Sequence, residues 1–329
     1  MSPIQPHPFD QLTPDFILDA LESIGLRSDG RLLALNSYEN RVYQVGLEDG
    51  EPLIVKFYRP GRWTLSALEE EHAFVAELRD AELPVVAPLQ VDGDSLFDFG
   101  NFNFAVYPRQ GGHWPELNHA EDRKQVGRLL GRLHLIGRRY PFQHRARLSI
   151  NSWAMDSRRY LLEQEWIPAH LLAAYRSVSQ ELIELMQYQW DALHPLRFMR
   201  LHGDCHLGNL LWHEATGLHF VDFDDCLNGP AIQDVWMLLS GTDHERSQQL
   251  RDLLDGYSQF ADFDFGELAL IEVLRGLRLM HYAAWLARRW DDPAFPRAFP
   301  WFDQPKFWEQ HVLDLREQLS AIQEAPLSI

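Results

Sequence analysis

The densest group of chemically useful side chains lies between residues 202 and 225 of this 329-residue chain. The run HGDCHLGN at 202–209 contains Asp204 and Asn209, and the acidic run DFDD begins at Asp222. Between them, two apolar stretches flank the turn HEATG, a pattern typical of a β-hairpin. Because antiparallel pairing brings the residue before the first strand beside the residue after the second, we expect Asn209 and Asp222 to lie together. Asp204 is then on the loop that leads to the same end.

Those residue types suit phosphoryl transfer. An amide oxygen and a carboxylate at one hairpin end are suitable ligands for Mg²⁺, which usually takes one or two protein ligands and completes its shell with water and phosphate. Asp204 is not needed for the metal and can accept a proton from a hydroxyl that attacks phosphorus. The arrangement D-x-x-x-x-N followed by an aspartate is that of kinase-type phosphoryl transfer, with Asp204 and Asp222 as catalytic residues and Asn209 and Asp222 as metal ligands.

Other interpretations of the same run stay open. Taken one at a time, HGD is a tight turn and DFDD an acidic loop, and only the joint pattern favours catalysis. A zinc site would use His202, Cys205 and His206, but their spacing matches no closed set of four ligands. Cys205 and Cys226 each lie within four residues of a proposed catalytic carboxylate, so redox sensitivity is an alternative to the commoner buried, inert thiol.

Lys56 is unusual because it stands inside an apolar strand pattern and because only three of the 30 basic residues are lysines. A cation in such a strand must reach water or find an anion. Glu71 lies three residues after Leu68 and four before Val75, on the apolar face of the helix that follows. The pattern predicts a Lys56–Glu71 pair that holds nucleotide phosphates, as in kinases. The alternative is an ordinary edge-strand lysine beside a solvated acidic run.

The turn at residues 36–40 stands where a kinase places its phosphate-covering loop. It contains no glycine and does not match a G-x-G-x-x-G loop, so a phosphate contact would come from the Ser37 hydroxyl and backbone N–H groups. A plain hairpin turn is the alternative. The strand pattern that begins at Phe104 predicts the hinge, with backbone groups near Tyr107 and Arg109 available to an adenine edge.

The elements that must position these residues fall into two regions. Residues 31–58 alternate as a β-meander, and a helix follows whose expected capping box is Ser66 with Glu69. After two more strand patterns the chain is mostly helical apart from the hairpin. We therefore expect an α+β protein with an N-terminal nucleotide-binding lobe at 1–110 and a C-terminal catalytic and acceptor-binding lobe at 111–329.

The charge balance limits the partners. The chain has 48 acidic and 30 basic side chains and a formal net charge of −18. Duplex nucleic acid and anionic membranes bind mainly through clustered Lys and Arg, so the sequence argues against both. The start MSPIQPHPFD lacks the basic and apolar regions of a signal peptide, and no apolar run approaches the length of a membrane span. We expect a cytoplasmic protein with reduced thiols.

The motif H-G-D-x-x-x-x-N resembles the aminoglycoside phosphotransferase and choline kinase branch of the protein-kinase-like fold, where most protein kinases have H-R-D. Longer segments are similar to a bacterial serine/threonine protein kinase of that superfamily: NSYENRVYQ at 36–44, VKFYRPGRW at 55–63, LHGDCHLGNLLW at 201–212, NGPAIQDVWMLL at 228–239 and AWLARRWDDPAFP at 284–296. The resemblance implies a bilobal fold and an ATP- and Mg²⁺-dependent cytoplasmic monomer that phosphorylates itself and other proteins in a stress response.

The resemblance also implies roles for individual residues. Ser37 contacts ATP, Lys56 contacts its phosphates with Glu71 as partner, Asp204 is the catalytic aspartate, Asn209 and Asp222 bind Mg²⁺, and Asp234 braces the catalytic loop without being catalytic. Few residues separate the DFDD run from the next helix, and no A-P-E signature follows. A phosphorylated activation segment therefore has no room, and we expect activity without loop phosphorylation.

Two other functions remain open at this point. A small-molecule kinase acting on an amino alcohol, sugar or aminoglycoside would use the same loop, lysine and metal ligands, and an acidic surface would favour a cationic acceptor. A pseudokinase scaffold would not need the full set of catalytic residues. The last long helical pattern carries Tyr282, Trp285 and Trp290, which form either one side of the acceptor site or part of the core.

Overall fold

The structure, a computed structural model, describes residues 8–193 and 195–327 and divides the chain into two compact units. The first unit extends to Glu116 and takes in two later segments, Phe142–Arg145 and Leu207–Cys226. The second unit contains the remaining chain. Most of the hairpin motif therefore belongs with the N-terminal sheet, although it follows residue 110 in the sequence. Residues 1–7, which enter the signal-peptide expectation, lie outside the described part.

Within the described residues the strands are β1 (Ser28–Ala34), β2 (Arg41–Leu47), β3 (Leu53–Phe57), β4 (Phe97–Phe99), β5 (Phe102–Pro108), β6 (Met199–Leu201), β7 (Leu210–His213), β8 (Gly217–Phe220) and β9 (Leu227–Gly229). The α-helices are α1 (Pro14–Ser23), α2 (Leu65–Asp80), α3 (Ala120–Gly137), α4 (Asp156–Glu163), α5 (Leu172–Ala192), α6 (Gln233–Trp236), α7 (Asp243–Tyr257), α8 (Ile271–Arg288), α9 (Ala294–Ala298) and α10 (Pro305–Gln323). None of these helices is long and apolar enough to cross a membrane.

The first unit is built on a five-stranded antiparallel sheet with the order β1-β2-β3-β5-β4. Alternation along β3 places Val55 and Phe57 in a core with α1, where Phe57 stacks on Phe104 at 5.3 Å between ring centroids. Lys56 points to the opposite face. The expected α+β fold, with a sheet lobe and a helical lobe, is confirmed.

Helix α2 begins earlier than the sequence pattern suggested. Its N-cap is Thr64, whose hydroxyl oxygen accepts a hydrogen bond from the Ala67 N–H at 3.2 Å. The expected capping box of Ser66 and Glu69 is wrong, because Ser66 already lies inside the first turn. Both Thr64 and Ser66 can cap a helix, and the sequence alone did not distinguish them.

The second unit is mainly helical, and close backbone packing joins α3 to α7. A Cβ atom at Gly127 would lie 1.9 Å from the Leu253 carbonyl oxygen, and one at Gly256 would lie 2.0 Å from the Lys124 carbonyl oxygen. Only glycine permits this approach, since any larger side chain would force the helices apart. Strands β6 and β9 pair antiparallel, β6 contacts α3, and the two strands begin and end the segment that carries the catalytic motif.

Candidate active site

Lys56 lies in a buried cluster of charge within the first unit. Its Nζ is 3.1 Å from Asp222 Oδ1, 3.3 Å from Asp224 Oδ1 and 3.8 Å from Glu71 Oε1. Burial alone would lower the pKa of Lys56, but the three carboxylates outweigh it and hold that pKa well above its usual value. The expected Lys56–Glu71 ion pair is therefore present. Its role in nucleotide binding stays a prediction.

Glu71 is held from its other side by Arg145, which the sequence did not single out. Arg145 Nη2 donates a short hydrogen bond to Glu71 Oε2, and Tyr58 Oη donates to Glu71 Oε1 at 3.4 Å. Burial raises the pKa of Glu71, and Lys56 and Arg145 oppose that rise. Arg145 Nη1 also donates to the Asp224 carbonyl oxygen at 2.8 Å. One guanidinium thus links α2 to the segment that follows Asp222.

Asp222 follows β8 at the hairpin end where Asn209 precedes β7. The Val221 N–H donates to the Asn209 carbonyl oxygen at 3.0 Å, so Asn209 faces Val221 directly and Asp222 is the next residue at that end. Asp222 has φ 58° and ψ 71°, a left-handed conformation that is uncommon for residues with a Cβ atom but tolerated by aspartate. Its side chain is 56% exposed and is therefore accessible to a ligand.

Asp224 is a further member of the cluster that sequence reasoning missed. Arg62, in the loop after β3, pairs with Asp224 through Nη1 and with Asp225 through Nη2. Burial would raise the pKa of Asp224, but Arg62, then Lys56 and Arg145, hold it well below its usual value. The available signal was the repeated aspartate in DFDD, which gave no indication of which aspartate points inward.

The loop that carries Asp204 lies in the second unit and is braced by Asp234. The fully buried Asp234 carboxylate accepts hydrogen bonds from the N–H groups of His202 and Gly203, each at 2.8 Å. His134 Nε2 lies 3.1 Å from the same carboxylate. Gly203 has φ +87°, a conformation that glycine adopts without a Cβ clash. These contacts confirm the bracing role implied for Asp234.

Two basic side chains contact the Asp204 carboxylate within the second unit. Arg278 Nη1, on α8, donates to Oδ1 at 2.8 Å, and His206 Nε2 lies 3.3 Å from Oδ2. Burial would raise the pKa of Asp204, but His206 and Arg278 hold it well below its usual value. Asp204 is therefore ionised at neutral pH. The sequence did not indicate Arg278, which is 74 positions away from its partner.

The two segments expected to contact the nucleotide both lie in the first unit. The Ser37 hydroxyl donates to the Asn40 carbonyl oxygen at 2.9 Å, so the turn between β1 and β2 is closed on itself. In the expected hinge, the Tyr107 and Tyr58 hydroxyls are 3.1 Å apart, and Arg109 Nε donates to Gln44 Oε1 at 3.0 Å. The proposed contacts of Ser37 and the hinge with ATP stay predictions.

Both cysteine side chains are buried and reduced. Burial raises the pKa of Cys205 and of Cys226 well above the usual thiol value, so both are neutral at physiological pH. This favours inert thiols over redox sensors. The zinc interpretation also lacks support, since no group of three or more His, Cys, Asp or Glu side chains in residues 8–193 and 195–327 could hold a metal ion. The expected Mg²⁺ site of Asp222 and Asn209 has only two protein ligands and so is not a group of this kind.

The sequence matches the model of a phosphotransferase enzyme family, APH, over residues 31–271. The chain belongs to the APH phosphotransferase family. Stress response kinase A of Escherichia coli (strain K12) is 44% identical over 321 residues, which cover 98% of this chain and 97% of that relative. The serine/threonine protein kinase RdoA of Salmonella typhimurium is 41% identical over the same coverage.

A solved structure of the same fold is amicoumacin kinase hAmiN in complex with AMP-PNP, Ca²⁺ and Ami. It superposes with a TM-score of 0.72 at 18% identity and covers 95% of this chain and 94% of its own. The match supports the two-lobed fold found here. The family match and the two relatives make this APH family member a kinase.

Proposed function

We propose that this protein is an ATP-dependent serine/threonine protein kinase that phosphorylates itself and other proteins as a cytoplasmic monomer in a bacterial stress response. The observation that carries the proposal is the contact of buried Lys56 with Glu71 and Asp222 beside the Asn209 hairpin end. The names of the two relatives support a Ser or Thr acceptor and the stress role.

Lys56 is the proposed contact for the ATP phosphates, with Glu71 as its support. Lys56 now lies against Asp222 at 3.1 Å, so phosphate oxygens would replace that carboxylate while the Glu71 contact persists. A lysine ammonium is a compact point charge with three donors, which suits phosphate oxygens that arrive from different directions. The turn at residues 36–40 would add the Ser37 hydroxyl and nearby backbone N–H groups as further donors to the phosphates.

Asn209 and Asp222 are the proposed Mg²⁺ ligands, and Asp222 has a catalytic role through that metal. The donor set fits, because both side chains offer hard oxygens and Asp222 is exposed while Asp224 is neutralised by Arg62. A bound Mg²⁺ would supply positive charge beside the nucleotide phosphates. Asp222 has a left-handed backbone, a conformation that functional sites often retain.

Asp204 is the proposed catalytic aspartate, and its environment favours one of two roles. Because His206 and Arg278 hold its pKa well below the usual range, the carboxylate is a weak base. It therefore accepts a hydrogen bond from the acceptor hydroxyl and orients it during attack on the γ-phosphorus. The proton moves to Asp204 late, when the bond from oxygen to phosphorus is nearly formed and the bond to ADP is breaking.

A second candidate function is a small-molecule kinase. The similar fold of amicoumacin kinase, solved in complex with Ami, favours it, because the same fold serves a small acceptor there. The deciding experiment supplies labelled ATP and Mg²⁺ with a general protein acceptor and, separately, a panel of amino alcohols, sugars and aminoglycosides. Label in protein that is lost in Asp204→Ala supports the proposal.

Asp98→Ala is the matched control, since Asp98 is an exposed aspartate in β4 and should label protein at the wild-type rate. Label confined to small molecules would refute the protein kinase. ATP binding without any transfer would instead support the pseudokinase alternative, and isothermal titration with a non-hydrolysable ATP analogue measures that binding directly.

A further inference from the structure

The solvent-facing surroundings of Asp204 include an arginine, Arg278, and are more basic than the net charge of the chain suggests. Arg278 bonds Asp204 at 2.8 Å and remains 40% exposed, so its guanidinium faces both the carboxylate and solvent. A guanidinium has five N–H donors, and among the described residues the hydrogen bond of Arg278 to Asp204 uses only Nη1. Donors therefore remain for an anionic group that approaches Asp204 from solvent.

Aromatic rings extend this basic position along α8. Residues 278, 281, 282 and 285 share one helix face by their spacing. His281 stacks on Trp153 with ring centroids 4.7 Å apart, and Tyr282 stacks on Trp285 at 5.7 Å. Tyr282 is 36% exposed. The sequence left these aromatic residues as either part of the core or one side of the acceptor site. Tyr282, at least, is accessible and lies one helical turn from Arg278.

Two acidic side chains, at the starts of α8 and α4, are already paired with arginines. Residues 273–289 contain no Asp or Glu. Glu272, at the start of α8, pairs with Arg246 at 3.5 Å and Arg275 at 3.6 Å. Asp156, which begins α4 after the Trp153 segment, pairs with Arg159 at 2.6 Å. Along residues 273–289 a cationic acceptor would therefore meet the Arg278 guanidinium and no carboxylate.

We infer that Arg278 recognises a carboxylate carried by the acceptor close to its hydroxyl, so that Ser or Thr residues flanked by Asp or Glu are the preferred acceptors. The inference rests on the proposed protein kinase function and names the acceptor class of that site. It differs from the cationic acceptor expected from the net charge, because contacts within a few ångströms outweigh a diffuse surface field that salt screens.

The unused donors explain how such an acceptor would act. In the present structure Arg278 Nη1 bonds Asp204 Oδ1. An acceptor carboxylate binds the other guanidinium donors, which draws the neighbouring Ser or Thr hydroxyl towards the Asp204 carboxylate. Since side chains two residues apart in an extended peptide lie on one face about 7 Å apart, an acidic residue two positions before or after the acceptor can reach Arg278.

The test compares peptide pairs that differ only by Asp or Asn at positions −2 to +2 around one Ser. The wild-type protein should favour the best Asp peptide by about tenfold or more in kcat/KM, as expected for one charge-assisted hydrogen bond. Arg278→Met removes a contact of Asp204 and changes kcat/KM for both peptides, but the Asp-over-Asn ratio of kcat/KM should fall to near one. Arg278→Lys should restore part of the preference, because it returns the charge without the fork.

The ratio of kcat/KM between the two peptides separates recognition from simple positioning. If Arg278 only orients Asp204, Arg278→Met will lower kcat/KM for both peptides by the same factor. The Asp-over-Asn ratio of kcat/KM will then not change, which overturns the inference. A wild-type protein that labels both peptides equally also overturns it. Arg251→Met, an exposed arginine on α7, is the control and should keep the wild-type ratio. Circular dichroism confirms that each variant is folded.

Failure of the proposed function has a different result. If label enters only small molecules, the protein kinase proposal fails. The inference about Arg278 is then tested by comparing a hydroxy acid and an amino alcohol of equal chain length as acceptors. Preference for the hydroxy acid that Arg278→Met abolishes supports recognition of a carboxylate. Preference for the amino alcohol refutes it.

Discussion

Arg145 is predicted to stabilise both the fold and the nucleotide site, although it lies outside every sequence motif. Arg145→Met keeps an aliphatic chain over the Trp63 ring, which the guanidinium now covers at 4.3 Å. It removes the ion pair to Glu71 and the hydrogen bond to the Asp224 carbonyl oxygen. Glu71 then remains buried with Lys56 at 3.8 Å as its main counter-charge. Loss of one partner from a buried ion pair costs about 3 to 5 kcal/mol of unfolding free energy.

The pH dependence of that loss has a definite sign. Burial already raises the pKa of Glu71, and removal of Arg145 raises it further. An acid whose pKa is raised by folding contributes stability below its unfolded pKa and loses it as the pH rises through the folded pKa. The deficit of Arg145→Met should therefore be larger at pH 8 than at pH 5, because Glu71 can take up a proton at the lower pH.

Urea unfolding at pH 5 and pH 8 measures this deficit, and initial rates at varied ATP measure the second effect. We expect KM for ATP to rise, since Glu71 is no longer fixed by Arg145 and positions Lys56 less firmly. Arg139→Met is the matched control, as Arg139 is exposed, and it should change the unfolding free energy by less than about 0.5 kcal/mol. A loss below about 1 kcal/mol at pH 8, or an equal loss at both pH values, would contradict the reasoning.

Three further predictions follow from single features. Asp222→Ala should lower kcat at least about a hundredfold while the exposed Asp98→Ala does not, as measured by steady-state phosphorylation; equal rates would exclude a catalytic Asp222. Burial lowers the pKa of His72 to about 3, so stability should fall by about 1.4 kcal/mol per pH unit below the usual histidine pKa. Urea unfolding at several acidic pH values should show that the unfolding free energy of His72→Gln falls less steeply per pH unit than that of the wild-type protein. Residues 223–239 contain no Ser, Thr or Tyr, so phosphatase treatment of the protein should leave its activity towards substrate intact, and loss of that activity would refute loop independence.

Local spacing accounts for the parts of the site that sequence reasoning found. Lys56 stands out because β3 alternates, and Glu71 because the helical repeat places it on the α2 face that is buried. The hairpin register brings Asn209 and Asp222 to one end through a turn of only a few residues. The N-cap of α2 was missed for a related reason, because Thr64 and Ser66 are equally good caps and packing selects between them.

The sequence by itself determined the chemistry, since a lysine in an apolar strand and the D-x-x-x-x-N pattern before an aspartate are short-range features. Only the tertiary structure decided which charges accompany them. Arg145 and Arg278 each reach a partner 74 positions away, and one-dimensional spacing carries no information about such contacts. Arg145 acts with Lys56 on the pKa of Glu71, and Arg278 acts with His206 on the pKa of Asp204, because Coulomb interactions depend on distance in space and on burial. The net charge of −18 is a property of composition, whereas the basic surroundings of Asp204 arise from folding.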